Sequence, residues 1–211
     1  MLYDEMLKYV YQILSDNDAL RSVKKNHGFR NRYEHIKRVL KWANIISKGV
    51  ALVNEDVLYT ACIFHDVGYA YGKENHALKS GMVFKEYVEN KNFDSEFITS
   101  VLYCIENHSN KELLKDSSQP IEMILLLEAD LLDEEGCMGI VWDVFAEGAN
   151  NPTDYKDALE AVKLHSAHIL NQDYMVTPIS KKIWLEKKNF VKNFIESLKD
   201  DLFITEVWHA R

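Results

Sequence analysis

"NRYEHIKRVLKWANIIS", residues 31–47, decides the fold class. Ile36, Val39, Leu40, Ala43 and Ile46 recur at the three- and four-residue steps that place side chains on one face of an α-helix. Asn31 is a fitting N-cap, and Gly49 a fitting stop. His35 lies in the middle of this helix, with Arg32 three residues before it and Arg38 three after. One face therefore carries an imidazole between two guanidinium groups.

The same period continues outward in both directions. "EMLKYVYQIL" (5–14) is amphipathic and is broken by "DND" at 16–18. "NEDVLYTACIFHDVG" (54–68) begins at a cap-like Asn and ends at Gly68. "NHALKSGMVFKEYVEN" (75–90) and "DSEFITSVLYCIENHS" (94–109) read as two further helices, the second capped by Asp94 or Ser95. Beyond a break at "DSSQ" and Pro120 comes "IEMILLLEADLLDEEG" (121–136). "PTDYKDALEAVKLHSAHILNQ" (152–172) opens with Pro and Thr where helix starts favour them, and a long charged helix follows at 179–202. "VFAEGANNPTDY" (144–155) reads as an irregular loop, either lid or connection. Period-2 alternation, repeats and an interdomain linker are all missing, so the expectation is a single all-α domain over 1–211.

Bulk composition agrees with that class. With 47% hydrophobic residues, 211 residues can bury a substantial core, and three prolines with eight glycines suit helices better than a β-sandwich. A net charge of −8 argues against a nucleic-acid polymer as partner, which would call for a basic face. It leaves anionic small substrates open, because a bound metal dominates its local field. Cys62, Cys104 and Cys137 lie in apolar stretches without a CxxC pair, and read as small buried hydrophobes in a reducing compartment. "MLYDEMLKYV" lacks the basic start of a signal peptide, and no run approaches the ~18 apolar residues of a membrane span. The expected location is cytoplasmic.

The chemistry gathers at helix ends. His65 and Asp66 close the third helix, His76 opens the fourth, His108 closes the fifth, and Asp130 interrupts "ILLLEADLL". These are either ordinary polar helix ends or parts of one metal site. Mixed neutral imidazole and ionised carboxylate donors suit Mn, Fe, Co, Ni or Zn. At a frayed helix end His65 could bind one ion while Asp66 bridges two. A buried charge at Asp130 has few evident partners unless a cation lies nearby. His27, His165, His168 and His209 read as surface or satisfied core residues.

These residues in order resemble the H…HD…D signature of the HD-domain metal-dependent phosphohydrolase superfamily. "RNRYEHIKRVL" is similar to its R-x-x-H-x-x-x-V helix and "IFHDVG" to its "LLHDIG". "EADLLDEEGCMGI" resembles the "DADRLDAIGAIGI" stretch of a bacterial subgroup that includes nucleotide pyrophosphohydrolases. The resemblance covers roughly residues 29 to 145 and implies an all-α HD bundle.

By that resemblance His35, His65, Asp66 and Asp130 match the four ligands of a primary divalent transition metal. His76 and His108 match histidines that in some relatives bind a second metal or the substrate phosphate, so one ion or two are implied. Metal-activated water would then attack the phosphorus of a nucleotide or other small phosphate ester. Arg32, Arg38 and Lys73 are the candidate phosphate partners, Lys73 because "YAYGK" replaces a lysine that often follows HD-x-G. Asp133, one turn beyond Asp130, is a candidate for orienting a ligand. Two other readings remain beside the hydrolase: a di-iron HD-fold oxygenase and a non-catalytic ligand-binding HD module. Oligomeric state is not legible, since Trp184, Phe190, Phe194, Phe203 and Trp208 suit internal packing and a dimer face equally.

Overall fold

A computed structural model describes residues 3–21, 28–150 and 154–202. Its long elements are helices: α1 (Tyr3–Asp16), α2 (Arg32–Ser47), α3 (Glu55–Phe64), α4 (His76–Val88), α5 (Ser95–Asn107), α6 (Ile121–Glu134), α7 (Cys137–Asn150), α8 (Tyr155–His165) and α9 (Pro178–Asp201). Among the described residues no strand forms, and the all-α expectation is met. His27, Phe203, Trp208 and His209 lie outside the described residues.

Local chemistry sets the helix starts. The Asn31 side chain accepts from the Glu34 amide at 3.1 Å, and Asn54 accepts from the Val57 amide at 3.2 Å. Asp94 accepts from the Glu96 and Phe97 amides at 2.8 and 3.2 Å. Each cap satisfies amides that the first helical turn leaves without partners.

The core lies between α2, α3, α5 and α6. Ile36, Val39, Ala43 and Ile46 of α2 are fully buried, and α2 packs along α6. Phe64, at the end of α3, stacks edge-on against Phe84 of α4 with ring centres 5.2 Å apart. The apolar cluster continues through Leu159 and Val162 of α8 to Trp184, Val191 and Ile195 of α9. Glu128 of α6 is also fully buried, because it receives the start of α9. Its carboxylate accepts from the Thr177 amide at 2.8 Å, the Thr177 hydroxyl at 2.7 Å and the Ser180 hydroxyl at 2.8 Å.

Two expectations are corrected here. Within the expected loop at 144–155, residues 144–150 are helical instead: α7 continues through Asn150, and Asp154 caps α8 in a reciprocal box with Asp157. Val144, at the start of that stretch, packs against the core. Pro152 and Thr153 lie outside the described residues, and the cap role falls to Asp154. Of the three thiols, Cys62 and Cys104 are buried as expected, whereas Cys137 is exposed at the start of α7.

The fold places three helix ends at one spot, the end of α3, the start of α4 and the end of α5. After α3 the chain makes a short 3-10 turn, Val67–Tyr71, that lies against the start of α4. Gly68 permits this approach, because a Cβ there would stand 2.1 Å from the His76 carbonyl and 2.5 Å from the Ser80 amide nitrogen. Its own amide donates to the Ser80 hydroxyl at 2.8 Å. This contact brings His76 back towards His65 and Asp66.

Candidate metal centre

His35, His65, Asp66, His108 and Asp130 are all buried, and His76 is half-buried beside them. Three overlapping groups have donor atoms within 4.8 Å of one another: His35–His65–Asp66, Asp66–His76–His108 and His35–Asp130–Glu134. The six residues read from the sequence thus meet in space, although they come from α2, α3, α4, α5 and α6.

The ring nitrogens are sorted by their surroundings. His65 Nδ1 lies 2.8 Å from the Cys62 carbonyl, His108 Nδ1 2.7 Å from the Ile105 carbonyl, and His76 Nδ1 3.3 Å from the Lys73 carbonyl. His35 Nδ1 lies 2.7 Å from Asp133 Oδ2. Carbonyl and ionised carboxylate oxygens only accept, so each Nδ1 carries the proton and each Nε2 turns inward. The His35 and His65 Nε2 atoms are 3.3 Å apart, and those of His76 and His108 are 3.2 Å apart.

Asp66 stands between the two pairs. Its Oδ1 is 3.4 Å from Nε2 of both His76 and His108, and its Oδ2 is 3.6 Å from Nε2 of His35. Backbone angles of φ −107° and ψ 2° turn it out of the α3 helix just after His65, so two adjacent residues face one point. Converging imidazole nitrogens around a carboxylate are a donor set that could hold a metal ion.

Charge is balanced on every side. Burial alone would raise the Asp66 carboxyl, but His65, the hydrogen bond with His108, Arg32 and His35 hold it well below the carboxylate range. Burial also opposes ionisation of Asp130, and Lys111 and His35 overcome it. Burial lowers the His35 imidazolium, yet hydrogen bonds with Asp130 and Asp133 carry it to about 10. Burial dominates at His65, bringing its imidazole down to about 4, and also lowers His76.

The remaining residues singled out in the sequence take different positions. Arg32 donates to Asp66 Oδ2 at 3.0 Å and lies 3.5 Å over the Tyr69 ring. Arg38 clasps Asp133 with Nε at 2.7 Å and Nη2 at 2.9 Å, so its fork acts on the carboxylate that bonds His35. Lys73 is exposed and meets the centre through its backbone carbonyl at His76. His165 and His168 stay out of the cluster; His168 pairs with Glu135 at 3.1 Å.

Sequence reasoning missed three contributors. Lys111 Nζ lies 2.5 Å from Asp130 Oδ2 and 3.1 Å from the His108 carbonyl, and is the cation that Asp130 lacked. Only its nearness to "IENHS" hinted at this. Tyr69 stacks on His76 with ring centres 4.2 Å apart, held from the other side by Arg32. Glu134 completes the third donor group and accepts from Arg30 at 2.8 Å.

Residues 32–135 match the HD domain model. The chain therefore carries an HD domain and belongs to the HD-domain family, and the all-helical bundle described above is that family's fold. Solved structures agree in shape. The Lin1889 protein of Listeria innocua superposes with a TM-score of 0.65 at 21% identity, covering 98% of this chain and all of its own. An HD-superfamily hydrolase of Bacillus thuringiensis gives 0.63 at 21% identity, covering 97% of each chain. Bacillus subtilis YpgQ, solved in complex with ADP, gives 0.61 at 20% identity, covering 92% of this chain and 96% of its own. Such identities speak for the fold alone.

Proposed function

We propose that this protein is a metal-dependent phosphohydrolase acting on a nucleotide or other small phosphate ester. The observation that carries the reading is Asp66, set between two facing pairs of histidine Nε2 atoms. In this reading His35, His65, Asp66 and Asp130 hold one ion, and Asp66 with His76 and His108 holds a second. The ions supply Lewis acidity towards a phosphoryl oxygen and a water acidic enough to attack phosphorus near neutral pH.

The chain's own groups do the rest. Asp133 fixes the His35 ring so that Nε2 stays turned inward. Arg32 and Lys111 border the cluster, each against a carboxylate of it and partly open to solvent. Both would neutralise phosphate charge, Arg32 as a fork and Lys111 as a point charge. Arg38 and Lys73 are the further candidates at the rim. The partner proposed is a small phosphorylated molecule, supported by the ADP held by a protein of the same fold. No helix among the described residues is long and apolar enough to cross a membrane.

The six-residue set equally suits two irons, so metal content comes first. Protein purified without chelator or affinity-tag nickel is assayed for metals, as wild type and as Asp66→Ala, with circular dichroism confirming the fold of both. One or two Mn, Co, Ni or Zn ions per chain, lost in the variant, together with phosphate release from a nucleotide panel, supports the phosphohydrolase. Two irons with oxygen consumption moves the reading to an oxygenase. No metal, and none taken up on addition, leaves a ligand-binding module.

A further inference from the structure

A cavity of about 320 Å³ opens beside the metal centre, near the lower end of small-molecule sites, which run roughly 300–1,000 Å³. Arg32, His35 and Asp133 line it and also belong to the centre, so the two spaces adjoin. Its far wall is one face of α7: Met138, Val141, Trp142 and Phe145 follow at steps of three, one and three. Ile140 and Val144 occupy the other face, towards the core. An amphipathic helix is expected to bury its apolar stripe, yet Met138, Val141 and Phe145 are 39, 46 and 56% exposed.

Aromatic groups and guanidinium groups meet there. Phe29 reaches across from before α2, with its ring centre 5.3 Å from that of Phe145. Arg30 lies 3.5 Å over the Trp142 ring and donates to Glu134 at 2.8 Å, which holds the indole in place. Arg32 and Arg38 also line the cavity, each paired with a carboxylate, of Asp66 and Asp133. Clustered apolar exposure of this kind marks a binding surface. With Arg30 likewise held by Glu134, the exposed aromatic face rather than net charge distinguishes the cavity.

We propose that this cavity receives the planar ring of a nucleotide-type phosphate ester. The ring lies against Phe29 and Phe145, and the phosphate points past Arg32 to Asp66. The assignment rests on the phosphohydrolase reading above and narrows it: ring-bearing esters are preferred over sugar phosphates. Phe29, Trp142 and Phe145 set that preference without touching the reacting atoms. Stacking tolerates every base, since each presents a π-face, so the preference is for a ring and not for one base.

The test is calorimetric, on the metal-loaded protein, with two non-hydrolysable probes. They are α,β-methylene-ADP, repeated as the uridine analogue, and methylenediphosphonate, which lacks the nucleoside. The nucleoside analogues are expected to bind at least about tenfold more tightly, as base stacking on aromatic side chains implies. Phe145→Ala and Phe29→Ala, both at exposed positions, are expected to remove that margin and leave methylenediphosphonate affinity unchanged. Equal affinities in the wild type, a margin surviving in both variants, or no binding of either probe would overturn the assignment. Phosphate release from nucleotides, measured separately, keeps the two readings apart. A ring margin without turnover retains the cavity assignment and removes the hydrolase, whereas turnover without a margin does the reverse.

Discussion

The imidazoles of His76 and His108 face each other with their Nε2 atoms 3.2 Å apart. Both Nδ1 atoms are turned to backbone carbonyls, so two lone pairs point at one space beside Asp66 Oδ1. If that space takes the second ion, His108→Ala retains about half the metal of the wild type, as mass spectrometry of the elements would show. Asp66→Ala, which removes the shared carboxylate, loses both ions. Equal metal content in wild type and His108→Ala would remove the second site from the reading.

Asp133 acts on the centre through His35, at 2.7 Å, and is itself clasped by Arg38. Asp133→Asn leaves one acceptor oxygen, without charge, for the His35 ring and the Arg38 fork that now share two. Metal affinity should drop about 10–100-fold, the usual effect of removing such an orienting partner. Competition with a chromogenic chelator measures it, and an unchanged affinity would assign Asp133 to stability alone.

Gly68 is the close contact between the 3-10 turn and α4. Gly68→Ala drives a methyl group into the His76 carbonyl and the Ser80 amide, both backbone atoms of α4. A cost of about 1–3 kcal/mol is expected from overpacking. It should appear as a lower midpoint of urea unfolding together with weaker metal binding, because the shift moves His76. Loss of stability with intact metal binding would show that α4 yields elsewhere.

The three thiols should separate by reactivity. Burial pushes the Cys104 thiol up to about 12, and burial next to Cys104 and Asp130 raises Cys62 well above its ordinary value. Cys137 is exposed. With an aromatic disulfide reagent at about pH 8, only the exposed Cys137 should react quickly. Cys137→Ser should abolish the fast phase, and the remaining two thiols should appear only on unfolding.

Glu135, just after α6, and Asp143, in the middle of α7, lie near each other, and burial raises both carboxyls despite His168 beside one and Ser166 beside the other. A raised folded-state pKa means that the unfolded chain releases its proton first. Stability from the protonated forms is therefore complete below the ordinary carboxylate values and is lost as pH rises through the folded ones. Glu135→Gln removes one of these titrations. The variant should be more stable than wild type at pH 7, with the difference fading towards pH 4 in urea unfolding. A difference independent of pH would show that folding leaves the Glu135 carboxyl unshifted.

Helices were legible because their signals are local. The stripe of Ile36, Val39, Ala43 and Ile46, and the caps at Asn31, Asn54 and Asp94, involve residues within four positions of each other. Local signals failed along α7. It runs through the glycine-containing stretch after Val144, a side chain that packs against the core. Cys137 is exposed although its neighbours are apolar, since it and Met138 face out while Gly139 and Ile140 of the same turn take the buried side.

By itself the sequence determined an all-α chain, and through the order H…HD…D it marked His35, His65, Asp66 and Asp130, with His76 and His108 beside them. Residue type and chain order suffice for that, because donor chemistry and helical period are properties of the chain. Tertiary structure alone decided how those donors are completed. Lys111 reaches Asp130 from 19 positions away, Asp133 reaches His35 from 98, and Arg32 reaches Asp66 from 34. It also decided that Phe29 and Phe145 share a cavity beside the centre. A buried charge takes its partner from whichever helix packing brings within about 3 Å, and no spacing along the chain records that.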